Sequence, residues 1–185
     1  TSAYRSSFFS QSGSASVASA RAGNVIGGGD WAEDRLIPGI LRAFEKNEPV
    51  SIRNPSATRP WQHVLEPVSG YLLLAERLFS DSQSYAEGWN FGPVDQDVKP
   101  VQWVLDRMVN LWGEDAHWEL DEKPQPHEAQ LLKLDISKAS TRLGWSPRWT
   151  LDQTLKSIIE WHQCWLAGDD VREITLNQIE KYLGE

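Results

Sequence analysis

Four side chains and three glycines carry the chemistry that can be read in this sequence. Asn24 and Arg35 bracket Gly27, Gly28 and Gly29, and Arg53 and Arg59 stand six residues apart around Asn-Pro-Ser-Ala-Thr. Glycine tolerates φ > 0 and lets a partner approach the backbone closely. An amide and guanidiniums are groups that grip a phosphorylated ligand, because a guanidinium fork matches phosphate oxygens. Two of them converging on a diphosphate would each contribute about 1.5–3 kcal/mol. Bland alternatives stand beside this reading. Asn24 can be a turn asparagine that bonds its own backbone, the arginines can be solvated surface charges, and the glycines can be loop filler. The glycines lack the spacing of a dinucleotide fingerprint.

Other chemistries have less support. One cysteine (Cys164) excludes an internal disulfide, and with four histidines it shows no metal-ligand spacing. No Gly-x-Ser-x-Gly is present. Glu114-Asp115 and Asp121-Glu122 read as solvated charges. His63, His117 and His162 read as structural, while His127 stays open between ligand and loop roles. The net charge of −8 argues against a nucleic-acid or anionic-membrane surface, so an anionic ligand needs local arginines. No apolar run approaches membrane-spanning length, and Thr1 to Ser6 lack the features of a signal peptide. A cytoplasmic protein is expected. With 40% hydrophobic and 24% charged residues, the chain is globular.

The elements that must position these groups alternate between strand and helix, which predicts an α/β fold. Tyr4–Phe9 reads as the end of a helix, and Ser16–Ala22 as a buried parallel strand. A loop from Asn24 to Arg35 follows, and Leu36 opens a helix with Pro38 in its first turn. Pro49–Ile52 is a short strand, Arg53–Arg59 a polar turn and Trp61–Leu65 an extended piece. The next helix begins at Glu66-Pro67, with Val68, Tyr71, Leu72, Ala75 and Leu78 as its apolar stripe. Gly88–Pro93 reads as a strand and turn. Pro100 starts a helix with Val101, Val104, Leu105 and Met108 inward. Trp118–Leu120 is a possible strand, and Asp121–Gln130 a polar loop. A short helix ends at Gly144, and Thr150-Leu-Asp-Gln153 is a capping box before a long helix ending near Gly168. Trp145, Trp149, Trp161 and Trp165 are expected in the core or a subunit contact. Asp169–Leu183 is a charged surface helix. The Ser16–Ala22 strand needs partners on both faces that the chain does not obviously supply, which suggests the C-terminal part of a larger α/β protein.

Several stretches resemble the CDP-glucose 4,6-dehydratases of the extended short-chain dehydrogenase/reductase superfamily. They are Arg21–Pro38 with its Gly-Gly-Gly-Asp-Trp, Arg53–Val64 with its Arg-Pro-Trp-Gln-His-Val, Trp89–Pro93, Pro126–Ala139 and Leu143–Pro147. The resemblance implies the last part of a Rossmann-type parallel sheet joined to the smaller C-terminal α/β substrate-binding domain. It divides the chain into 1–35 (end of the NAD-binding domain), 36–168 (mainly substrate domain) and 169–185 (helical tail). It implies NAD as cofactor, CDP-glucose as substrate, homo-oligomers, and a place in deoxysugar synthesis for surface polysaccharide.

The implied reaction oxidises the sugar at C4, eliminates water across C5 and C6, and returns hydride to C6, so the whole enzyme is a lyase. The family's Tyr-x-x-x-Lys, its acid-base pair and its cofactor fingerprint lie upstream of the matching region, and Tyr4 is followed by Phe8, not Lys. No catalytic residue is therefore expected in this chain, which alone should be inactive. Carried over onto matching positions, Asn24 reaches the diphosphate, Arg35 and Leu36 line the nucleotide, and Ile52 and Arg53 border base and ribose. Arg59 clamps a phosphate, and Asn90, His127 and Glu128 stand near phosphates and ribose. Ala22 and Gly23 touch the cofactor. At Pro38-Gly39 the sequence departs from the family, which more often has an acidic residue after the proline. Alternatives are a dehydratase or epimerase for another nucleotide-sugar, or a stand-alone non-catalytic nucleotide-binding module.

Overall fold

The computed structural model describes residues 1–11, 13–113, 116–121 and 130–184. In chain order the elements are α1 (Ser2–Phe8), β1 (Ser19–Ala22), β2 (Asn24–Ile26), α2 (Leu36–Glu45), β3 (Val50–Ile52), β4 (Thr58–His63), α3 (Leu65–Ser80) and α4 (Ser82–Tyr85). Then come β5 (Gly88–Phe91), β6 (Val98–Pro100), α5 (Val101–Trp112), β7 (Trp118–Leu120), α6 (Leu151–Ala167) and α7 (Val171–Gly184). Three small sheets result. β1 pairs in parallel with β5, and β3 in parallel with β7. β4 lies between β2, parallel to it, and β6, antiparallel. The α/β expectation holds, with β1 a parallel strand that is shorter than predicted and not buried as predicted, since Ala20 and Arg21 are exposed.

Two predicted loops are strands. Asn24 begins β2 and Arg59 lies in β4, so both side chains are held by backbone ladders. The glycine loop therefore starts at Gly27. The short helix before Gly144 contains a π-helical turn over Ala139–Leu143, and Gly144 closes it in the left-handed region at φ 69°. The Thr150 capping box forms as predicted: Gln153 N–H donates to Thr150 Oγ1 at 3.2 Å, and Thr150 N–H donates to Gln153 Oε1 at 2.8 Å.

The larger core gathers α2, β3, α5 and α6 around Ile40, Phe44, Leu105, Met108, Leu155 and Ile158. A second core packs Leu74, Trp89, Phe91, Ala139, Leu143 and Trp145. The stripe predicted for α3 is corrected here. Val68, Tyr71, Leu72 and Ala75 are exposed, and Glu66, Gly70 and Leu74 face inward. The reason is close approach: a Cβ on Gly70 would stand 2.3 Å from the Phe91 ring, so α3 meets β5 through a residue without a side chain. Of the four C-terminal tryptophans, Trp145 and Trp149 are buried, Trp161 is half-buried and Trp165 is 40% exposed.

Glu66 is fully buried and accepts three groups from two distant segments. Arg148 N–H and Trp149 N–H donate at 3.1 and 2.8 Å, and Tyr182 Oη–H donates at 2.8 Å. Burial raises its pKa, against the lowering effect of those hydrogen bonds and of the Arg148 charge. His63 is also buried, packed 4.8 Å from Trp149, and burial lowers its pKa from 6.5 to about 4. The two groups give opposite pH dependence. Below pH 6.5 the unfolded chain binds a proton that folded His63 refuses, so stability falls as pH drops toward 4. Above the ordinary carboxylate range the unfolded chain has released a proton that folded Glu66 keeps, so stability falls as pH rises through the raised value. Urea titrations across pH should show Glu66→Gln removing the second slope and His63→Phe the first. Glu66→Ala should cost about 3 kcal/mol by stranding its donors. A wild-type pH profile in both conservative variants would show that neither group carries the linkage.

Candidate functional site

A cavity of about 1050 Å³ is lined by β2, β3, the start of α2 and the first part of β4. Its volume lies at the upper end of ligand pockets, which run to ~1,000 Å³. Asn24, Arg35, Leu36, Ile52, Arg53 and Arg59 all line it, together with Gly23. Residues separated by up to 36 positions thus share one wall system, because β2 and β4 are adjacent parallel strands with Asn24 opposite Trp61.

The charge balance inside differs from that of the chain. Arg35, Arg53 and Arg59 face Asp30 and Asp34 in a protein of net charge −8. Arg59 Nη1 donates to the Thr58 carbonyl at 3.0 Å, which fixes its guanidinium along β4. Arg35 is 64% exposed and pairs with Asp30 at 3.6 Å. It is also the N-cap of α2, and a guanidinium has no acceptor to offer the helix amides. Pro38 contributes no N–H, and the first turn carries no acidic residue. The departure noted at Pro38-Gly39 therefore has an electrostatic result. The positive end of the α2 dipole meets the cavity with no acidic residue in the helix's own first turn, while Asp30 and Asp34 are the carboxylates that share the cavity with it. Ile37, Ile40, Ile52 and Trp61 are the large apolar groups of the remaining walls, which also carry the polar Ser51 and Asn54.

Asn90 lies elsewhere. It pairs with Arg21 across β1 and β5, and its Nδ2–H donates to the Asp135 carbonyl at 3.0 Å. It does not line the cavity. His127 and Glu128 lie outside the described residues. Asp30, Asp34 and Trp61 line the cavity without having been singled out in the sequence. Asp30 sits inside the Gly-Gly-Gly-Asp-Trp motif, and that placement was the available signal. Trp61 looks like any other buried tryptophan.

The implied dinucleotide can be tested against Ala22 and Gly23. Ala22 pairs with Phe91 in the β1–β5 ladder, and Gly23 N–H donates to the Phe91 carbonyl at 3.2 Å. A Cβ on Gly23 would lie 2.3 Å from the Pro60 carbonyl oxygen, so this glycine answers to the packing of β4. The glycine loop does connect a strand to a helix, but Trp161 covers Gly28. The described residues therefore form no dinucleotide cradle, and no chemistry of that group is derived from them. The described residues also hold no cluster of three or more metal-ligating side chains, and no described helix is long and apolar enough to cross a membrane.

The fold is shared with nucleotide-sugar epimerases and dehydratases of the extended short-chain dehydrogenase/reductase type, over their C-terminal portions. UDP-glucuronic acid 4-epimerase from Bacillus cereus superposes with a TM-score of 0.72 at 19% identity, covering 89% of this chain and 49% of that one. dTDP-glucose 4,6-dehydratase from Bacillus anthracis gives 0.66 at 18%, covering 87% and 47%. In sequence, the chain is 54% identical to CDP-glucose 4,6-dehydratase of Salmonella typhimurium over 98% of its own length and 52% of the relative's. It thus spans about half the length of the curated relative it matches. No family model matches the chain.

Gly23→Ala should destabilise the fold by about 1–3 kcal/mol, because the added methyl overlaps backbone of β4 that cannot withdraw. Thermal melting without any ligand reads this, and an unchanged midpoint would assign the glycine to something other than strand packing.

Proposed function

We propose that this chain is the nucleotide-sugar-binding part of an NAD-dependent CDP-glucose 4,6-dehydratase, a lyase acting on CDP-D-glucose. The observation that carries the proposal is the cavity, where Asn24, Arg35, Arg53 and Arg59 converge beside an uncapped helix start. The 54% identity to the Salmonella dehydratase supports the choice of substrate within the nucleotide-sugar enzymes. In this reading the diphosphate lies against Asn24 and Arg59 and the start of α2. The cytidine lies toward Leu36, Ile52 and Arg53. Arg35 closes the cavity mouth over the nucleotide.

The chain's own residues bind and orient. A diphosphate in water is heavily solvated, and the Arg59 guanidinium, the Asn24 amide and the start of α2 replace that shell with donors already ordered by the strand and helix. The apolar remainder of the cavity excludes water from the base and ribose. The product of the proposed reaction is CDP-4-keto-6-deoxy-D-glucose, with one water released. The oxidation and reduction that frame the elimination belong to a bound nicotinamide and to residues other than those described, so this chain alone is expected to be inactive. The exposed apolar side of α3 and the second edge of β1 are suitable surfaces for a cofactor-binding part. We infer a soluble, homo-oligomeric enzyme of the cytoplasm, working in deoxysugar supply for surface polysaccharide.

Calorimetric titration with CDP-, UDP-, dTDP- and GDP-glucose tests the reading. CDP-glucose should bind most tightly, and Arg59→Ala should weaken it about tenfold or more through loss of a charge-assisted hydrogen bond. Preference for another base would move the chain to a different nucleotide-sugar enzyme of the same fold. Formation of the 4-keto product by the isolated chain would refute the expected inactivity.

A further inference from the structure

Trp161 lies on α6, outside the cavity, with its ring pressed onto the glycine loop. A Cβ on Gly28 would stand 2.3 Å from Trp161 Cγ, and one on Gly29 would stand 3.3 Å from the far edge of the ring. Gly29 also has φ +74°, which disfavours any side chain there. On its other edge the indole is tied to α7, where Trp161 Nε1–H donates to Thr175 Oγ1 at 2.9 Å. Trp31 continues the loop into the same aromatic group, with its ring centroid 6.3 Å from Trp161 and 4.6 Å from Trp165.

Between Gly29 and Trp31 stands Asp30, which holds both the loop and a cavity residue. It accepts from Ala32 N–H at 3.0 Å and pairs with Arg35 at 3.6 Å. Arg42 of α2 fastens the same turn by donating to the Trp31 and Ala32 carbonyls at 3.4 and 3.5 Å. Physical contact thus runs from α7 through Trp161 and the loop to Asp30 and Arg35 at the cavity mouth.

We propose that Trp161 is a positioning residue for this cavity: it clamps the glycine loop so that Asp30 and Arg35 are preset for an anionic nucleotide. Through Thr175 it also makes that presetting depend on the seating of the C-terminal helix. The proposal rests on the nucleotide-binding reading of the cavity. Its cause is preorganisation, since a loop released from the ring samples many shapes, and the apparent affinity falls with the fraction that is competent. The glycines at 28 and 29 are then explained by the indole they must admit, with no phosphate needed to account for them.

The test uses cytidine 5′-diphosphate and titration calorimetry on the intact protein, well below each variant's melting point. Trp161→Ala and Gly28→Ala should each raise the Kd about tenfold with unchanged stoichiometry, because the competent loop fraction falls. The double variant should bind no worse than Trp161→Ala, since both changes break one contact. Trp161→Phe keeps a ring over Gly28 and should recover most of the affinity. A purely structural role would lower the melting point and the stoichiometry and leave the Kd alone. Thr175→Val removes two exposed hydrogen bonds, the one from Trp161 Nε1–H and the one to the Val171 carbonyl, and remains readable if the larger changes prevent folding; it should raise the Kd about threefold by loosening the clamp. Folded variants with the unsubstituted Kd, or losses that add in the double variant, overturn the proposal. Failure of the unsubstituted protein to bind the diphosphate overturns the reading of the cavity, and the proposal with it.

Discussion

The buried carboxylate of Glu66 is the contact on which the rest of this structure depends. Desolvating a carboxylate is costly, and the cost is offset only when fixed donors replace the lost water. Here the donors are two consecutive amides, of Arg148 and Trp149, and the Tyr182 hydroxyl. The position near the start of α3 adds the favourable end of a helix dipole. The consequence extends along the chain. Fixing residues 148 and 149 fixes Thr150, whose capping box starts α6. The register of α6 then brings Trp161 over Gly28, and the loop it covers ends at the cavity. Arg148 adds a second tie, donating to the Tyr182 carbonyl at 2.9 Å, so α7 is anchored at the same point.

The cavity itself is an electrostatic exception in an acidic protein. Its three arginines and the uncapped start of α2 create a local preference for anions that the global field opposes. Such a site selects by short-range geometry, since beyond ~8 Å physiological salt screens the arginines from a distant ligand. This suits a metabolite held by specific donors and does not suit an extended polyanion. The glycine loop complements this arrangement from outside. It supplies Asp30, which keeps Arg35 at the mouth at a distance where a stronger anion can compete for it.

Much of the element order was legible. The start of α2 at Leu36, the core positions of α5 and the cap and end of α6 follow from turn residues and helical spacing, which act locally. The errors share one cause, which is that the decisive partner was far away in sequence. Asn24 looked like a loop residue because it stands between Gly23 and the glycine run, and Arg59 like the end of a turn because Pro60 follows it, yet both belong to strands. A three-residue strand such as β2 carries no pattern of its own and exists through β4. The stripe on α3 failed because periodicity counts apolar side chains, while the contact with Phe91 is made through Gly70. Nothing in the sequence distinguishes Glu66, buried, from the solvated acids around it.

What the sequence determined by itself was the set of chemical groups and the local punctuation. Guanidiniums and an amide near glycines define which ligand the chain can grip, and caps, prolines and glycines define where helices begin and stop. These depend on side-chain chemistry and on dihedral preferences, both of which are local. Only the tertiary structure decided which groups meet. It brought Asn24, Arg35, Arg53 and Arg59 to one cavity and left Asn90 in the β1–β5 pair, bonded to Asp135. It also gave Gly28 and Gly29 a purpose in admitting Trp161. Parallel strand pairing and helix packing join residues tens of positions apart, and such contacts have no local sequence pattern from which to be read.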